Sequence, residues 1–233
     1  MTTIVAIIIL PMILAALLSY SQIVYLIKSN IKSSFFFLSG FLIYFFLHFK
    51  KIFSQKTNYA YVFAHELTHA IFGIVSGNKV KKINVTNRNG YVSFKGKVNI
   101  ITAISPYIFP FYNLILAGLY LLFLYFKKDG FFGLFLFFQG FFLSFHIINT
   151  IDAISFNQKD FKESGGRFAS SVIIILSNII VTAAIIEVLI SPDKQDIFLF
   201  IKNCFEYYVL IIKKIAYYSF SIYVKMRETI KTL

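Results

Sequence analysis

Residues 4–27, 34–50, 58–77, 99–126, 131–155 and 170–190 each form a long apolar run with few charges. A helix needs about 20 mostly apolar residues to cross the hydrocarbon of a bilayer, and in lipid its backbone groups must be satisfied within the segment. The runs therefore predict an all-α polytopic membrane protein. A seventh stretch, 197–224, is apolar but interrupted by Lys202, Glu206, Lys213 and Lys214, so the C-terminal 197–233 region is expected to form an amphipathic or spanning helix. The count is six or seven transmembrane helices. With 233 residues, 58% of them hydrophobic, the chain has room for a single integral membrane domain over 1–233. Its first run lacks the basic flank of a cleaved leader and is expected to be retained.

A net charge of +13 raises nucleic acid as a partner, but the Lys and Arg residues are scattered between apolar runs instead of forming one basic stripe. No nucleic-acid partner is expected; the charges read as orientation signals in a lipid bilayer. If every run crosses, with the N-terminus outside, the loops 28–32, 79–97 and 159–167 and the tail from 213 fall inside. These carry sixteen Lys and Arg against six in the outside loops, which favours that layout and a cytosolic 79–97 segment. Cys204 is the single cysteine, which excludes a disulfide framework and a Cys-based zinc site.

Residues 80–97 are the one region with strand character. Alternating β-branched and aromatic residues flank Asn89-Gly90, predicting a small β-hairpin with a type I′ turn at that dipeptide. Such a hairpin offers an edge for strand addition to an unwound substrate.

One apolar run carries YAYVFAHELTHAIFG at 59–73. Ionisable groups are costly in hydrocarbon and usually mark function. His65 and His69 are spaced i, i+4, so on a helix both imidazoles leave one face about 6 Å apart and can reach one tetrahedral Zn²⁺. Glu66, beside the first histidine, is placed to take a proton from a hydrolytic water. This is the H-E-x-x-H arrangement of zinc hydrolases, and it arises by chance in roughly one such sequence in a thousand. One Zn²⁺ per chain is therefore expected.

A catalytic zinc takes a third protein ligand. His146, Asp152 and Asp160 cluster in FHIINTIDAISFNQKDF, on the same expected side as the inner half of the HELTH helix. Depth favours Asp152 over Asp160, and Glu187 falls at the far side. Pro106 and Pro110 are expected to break the 99–126 run near its start. Asn113 and Asn149 are candidates for holding a substrate carbonyl, with interhelical bonding the plainer role.

These blocks resemble the site-2 protease family of intramembrane zinc metalloproteases, and more narrowly its small bacterial members. The resemblance rests on YVFAHELTHAIFG (61–73), the hairpin ending in Gly90-Tyr91-Val92, SPYIFPFY (105–112) and FHIINTIDAISFNQKDFKESGGRF (145–168), and covers about residues 60–180. It implies two His ligands from one membrane helix, one Asp from a later segment, and the motif Glu as general base. In the small relatives the later block reads F-H, a Thr, Q-x-D and a Gly, which falls on Phe145-His146, Thr150, Gln158, Asp160 and Gly165 and singles out Asp160. The L-D-G signature of classical members, with its N-P-x-P-like element, is absent. The implied protein is a zinc-dependent metalloendopeptidase that cleaves a membrane-anchored protein within or near the bilayer. Its location would be a bacterial inner membrane, with the active site towards the cytosolic half. An unrelated zinc protease with Glu163 or Glu187 as third ligand, or a metal-transporting or scaffold membrane protein, is the competing reading.

Overall fold

A computed structural model describes residues 2–50, 59–87, 89–126, 130–155, 159–191 and 196–231. The apolar runs become helices α1 (Thr2–Ser29), α2 (Ile31–Phe49), α3 (Tyr59–Val75), α4 (Ile100–Ile108), α5 (Phe111–Tyr125), α6 (Phe132–Ser155), α8 (Arg167–Ile190) and α9 (Asp196–Lys231). A short α7 (Lys159–Glu163) follows α6, and strands β1 (Val80–Val85) and β2 (Gly90–Phe94) lie between α3 and α4. Ile4–Ser29, Ile31–Phe49, Phe132–Ser155 and Arg167–Ile190 are long and apolar enough to cross a membrane, and the bent α4–α5 pair, a broken span or a re-entrant loop, would be a fifth if it crosses as one. The chain is a multi-pass membrane protein. α3, at 17 residues, is shorter than these, and α9 carries Lys202, Glu206, Lys213 and Lys214 along its length.

Backbone-to-backbone contact organises the bundle. A Cβ on Gly40 would stand 1.8 Å from the Phe137 carbonyl oxygen, and one on Gly140 would stand 1.9 Å from that of Phe37. Only glycine lets α2 and α6 approach so closely, as in other membrane helix pairs where small residues replace the missing hydrophobic drive. The contacts continue in step: Phe36 lies against Gly133, Tyr44 packs on Phe141 and Phe145 and receives a bond from Asn149 Nδ2, and His48 reaches Asp152. α2 and α6 therefore run parallel. α1 and α8 do likewise, with Ala6 on Ala169 and Val172, Tyr20 Oη donating to the Ile179 carbonyl, and Gln22 bonded to Glu187. α9 returns along α1 from Asp196 near Gln22 to Phe200 on Tyr20.

These directions correct the alternating layout. The N-terminal end of α1, the C-terminal end of α6 and the start of α8, where Arg167 donates to the Ile154 and Ser155 carbonyls, share one end of the bundle. The α1–α2 turn and the start of α6 lie at the other. The N-terminus is thus on the same side as the 159–167 stretch, and not opposite it. The reason is that 58–126 holds one full crossing fewer than a run count implies. α3 starts deep in the bundle, where Tyr112 Oη donates to the Ala60 carbonyl while the Tyr112 ring stacks on Phe142 in mid-α6. Pro110 then ends α4: Phe109 before it is extended, as pre-proline residues are, and α5 leaves at 69°. The loops at 50–56, 127–128 and 194 fall, apart from Lys50, outside the described residues.

The hairpin forms, with an antiparallel register of Val85 on Gly90 and Ile83 on Val92. Its turn is not Asn89-Gly90, however. Gly90 is the first residue of β2, and the connection spans 86–89, closed by Thr86 N donating to the Asn89 carbonyl. Gly90 is needed elsewhere, as described below.

Replacing Gly140 with Leu should separate α2 from α6 and cost about 1–3 kcal/mol or more. Thermal unfolding in detergent would measure it. A neutral Gly140→Leu would contradict the close crossing.

Candidate metal centre

α3 displays His65, Glu66 and His69, and Thr68 between them is satisfied internally by donating to the Ala64 carbonyl at 2.7 Å. His69 Nδ1 meets the Thr102 carbonyl oxygen of α4 at 2.7 Å. A carbonyl only accepts, so Nδ1 carries the proton and Nε2 is left as an unprotonated donor atom. That Nε2 lies 3.1 Å from Nε2 of His65. One helical turn has brought two ligand atoms to a common point.

Asp160 arrives from α7, and its position follows from local chain chemistry. Phe161 is buried against Tyr107, Ile104 and Ile174, which anchors the short helix. Ser164 Oγ donates to the Asp160 carbonyl at 2.8 Å. Gly165 and Gly166 then take φ values of 100° and 101°, a region that favours glycine, and turn the chain into α8. The result places Asp160 Oδ2 3.4 Å from His65 Nε2 and 3.5 Å from His69 Nε2.

His65, His69 and Asp160 form a group that could hold a metal ion, the one such group among the described residues. Their three ligand atoms make a triangle with edges of 3.1, 3.4 and 3.5 Å. Tetrahedral bonds of about 2.0–2.1 Å require edges of about 3.3 Å, so the set fits zinc in size and in its N, N, O chemistry.

The other candidates lie elsewhere. Asp152 Oδ2 is 3.3 Å from His48 Nε2, and His146 Nε2 is 3.0 Å from Asn178 Oδ1. Glu187 is buried at the opposite end beside Gln22, whereas Glu163 is exposed on the rim of the cavity at the metal centre. Asn113 is taken up by Gln139, and Asn149 Nδ2 donates to Tyr44 Oη and to the Phe145 carbonyl; both bonds join neighbouring helices or turns. Gln158 is outside the described residues.

Glu66 is 7% exposed and faces β2. A Cβ on Gly90 would stand 2.4 Å from Glu66 Cγ, so the strand passes directly over the carboxylate side chain. The same sheet is seated on α3 at Gly73, where the Phe94 ring fills the space a side chain would need. Between β2, α3 and α7 lies a cavity of about 690 Å³ lined by His65, Glu66, His69, Asp160, Gly90 and Val92 among others. On the other face of His65 the aromatics Tyr61, Phe111, Tyr112, Phe142 and Phe145 leave only about 20 Å³, room for one water.

Sequence reasoning missed the Thr102 carbonyl, the contact of Gly90 with Glu66, and Tyr107, whose Oη donates to Asp160 Oδ2 at 2.6 Å. Tyr107 lies inside the quoted SPYIFPFY, but only the prolines of that block carried a local signal.

Residues 37–148 match the model of a family described as Peptidase M50B-like, and the match supports membership of the site-2 protease family. No curated protein and no solved structure matches the chain.

Gly90→Ala should force Glu66 to move and lower stability by about 1–3 kcal/mol, seen as an earlier thermal transition. An unchanged transition would mean that β2 is not seated on Glu66 in solution.

Proposed function

Starting from the match of residues 37–148 to that family, we propose that this chain is a membrane zinc endopeptidase of the site-2 type. It hydrolyses a peptide bond of a membrane-anchored protein within or near the bilayer. The observation that carries the reading is the triangle of His65 Nε2, His69 Nε2 and Asp160 Oδ2, with Glu66 one residue from the first ligand.

In this reading His65, His69 and Asp160 hold the zinc, which when bound supplies a Lewis acid and lowers the pKa of the attacking water to about 7. Glu66 takes the proton from that water as it attacks the scissile carbonyl and returns it to the departing amine. Thr102 fixes the His69 tautomer through its carbonyl. The packed aromatics beside His65 keep access from that face narrow, and the cavity under β2 leaves space for an extended polypeptide. A helical peptide bond is shielded by its neighbours, so cleavage needs the substrate opened locally, and the β2 edge offers hydrogen bonds to the opened form.

The metal centre faces the cytosol in this proposal. Lys79, Lys81, Lys82, Lys95 and Lys97 of the hairpin and Lys159, Lys162 and Arg167 lie at the site end, against Lys28 and Lys32 at the other. The positive-inside bias supports an inside location for both the N-terminus and the site. The membrane is the bacterial inner membrane, as the resemblance to small bacterial members implies.

Purified protein should contain one zinc and cleave a model membrane substrate in liposomes. Chelation should abolish cleavage and added zinc restore it. Glu66→Gln should keep the zinc and lose about 100- to 10,000-fold in rate. A wild-type protein without zinc, or an unimpaired Glu66→Gln, would end this reading. Asp160→Asn should weaken zinc binding while Asp152→Asn leaves it intact; the reverse pattern would move the third ligand to Asp152.

A further inference from the structure

We propose that Tyr107 is a positioning residue for the metal centre: its phenol holds Asp160 in the ligand triangle and thereby sets the affinity for zinc. The inference rests on the reading of His65, His69 and Asp160 as zinc ligands.

Tyr107 is 1% exposed, and a phenol buried that deeply needs an acceptor. Its acceptor is Asp160 Oδ2 at 2.6 Å, the same oxygen that lies nearest both imidazoles. The ring also stands edge-on to His65, with centroids 5.0 Å apart, and packs on Phe161 at 5.1 Å. Thr102, on the same helix, holds His69 through its carbonyl. α4 thus touches all three members of the triangle, two through one tyrosine. Asp160 needs such a hold, because a five-residue helix has little stability of its own and takes its place from packing.

Tyr107 is itself pinned from behind. Asn178 Nδ2 donates to the Tyr107 carbonyl at 2.7 Å and to that of Ile174 at 2.8 Å. Its amide oxygen therefore faces His146, whose Nε2 must be the donor across their 3.0 Å contact. This gives the buried His146 a place in the architecture: with Asn178 it supports the backbone from which the Tyr107 side chain reaches Asp160. An outer partner of a metal ligand fixes the ligand's orientation, and its loss typically costs about 10- to 100-fold in metal affinity.

Tyr107→Phe keeps the ring contacts with His65 and Phe161 and removes only the hydroxyl. Zinc affinity, measured on the full-length protein by competition with a chelator, should fall about 10- to 100-fold. The absorption spectrum of the cobalt-substituted protein should change, and the melting temperature of the metal-free protein should not. In an Asp160→Asn background the same substitution should produce little further loss, because its effect runs through that carboxylate. Equal zinc affinity in wild type and Tyr107→Phe overturns the proposal. So does an equal loss in the Asp160→Asn background, or a loss that merely follows a lower metal-free melting temperature. A wild-type protein that binds no zinc overturns the ligand assignment itself, and this is read without any substitution at Tyr107.

Discussion

Two imidazole rings meeting one carboxylate oxygen inside an apolar bundle is the arrangement around which this protein is built. None of the three groups is tolerable alone in hydrocarbon, where an unpaired polar group or charge costs several kcal/mol. Together they converge on one point, where a shared cation would offset them, with Thr102 and Tyr107 holding His69 and Asp160 from behind. The surrounding irregularities serve that meeting. The proline break after α4 frees a short helix to present a carbonyl and a phenol to the centre, and the two left-handed glycines after α7 turn the chain away once Asp160 is delivered.

Glycine does the rest of the positioning by allowing backbones to touch. Gly40 and Gly140 lock α2 to α6, and that pair forms the wall from which His48, Asn149 and Asp152 make their own bonds. Gly73 and Gly90 seat the hairpin on α3, so that β2 roofs Glu66 and bounds the larger cavity. One pair stabilises the scaffold and the other shapes the space in which a substrate would lie.

Local patterns explain what was legible in the chain. The apolar runs announced helices, and each became helical, 99–126 as the two helices α4 and α5; alternation around Asn89-Gly90 announced a hairpin, and it formed. The turn was misplaced because the glycine signal there has a different cause: Gly90 is small to clear Glu66, and it has no positive φ. Helix directions were misread because counting runs assumes that each one crosses. α3 begins at the depth of Phe142, and the α4–α5 pair is bent, so α2 and α6 end up parallel. Neither fact leaves a trace in hydropathy.

By itself, the sequence determined a multi-helix membrane chain with His65, Glu66 and His69 on one apolar helix, because helical periodicity and hydrophobic length are local properties. Residue-by-residue reading left His146, Asp152 and Asp160 open and the family resemblance pointed to Asp160, but only the tertiary structure shows which acid meets the imidazoles and which end of the bundle they occupy. Depth along α6 favoured Asp152, yet that residue pairs with His48, while Asp160 is carried to His65 and His69 by α7 and received by Tyr107. That outcome depends on contacts between residues 53 to 95 positions apart, and on a backbone path through two glycines, neither of which a local pattern encodes.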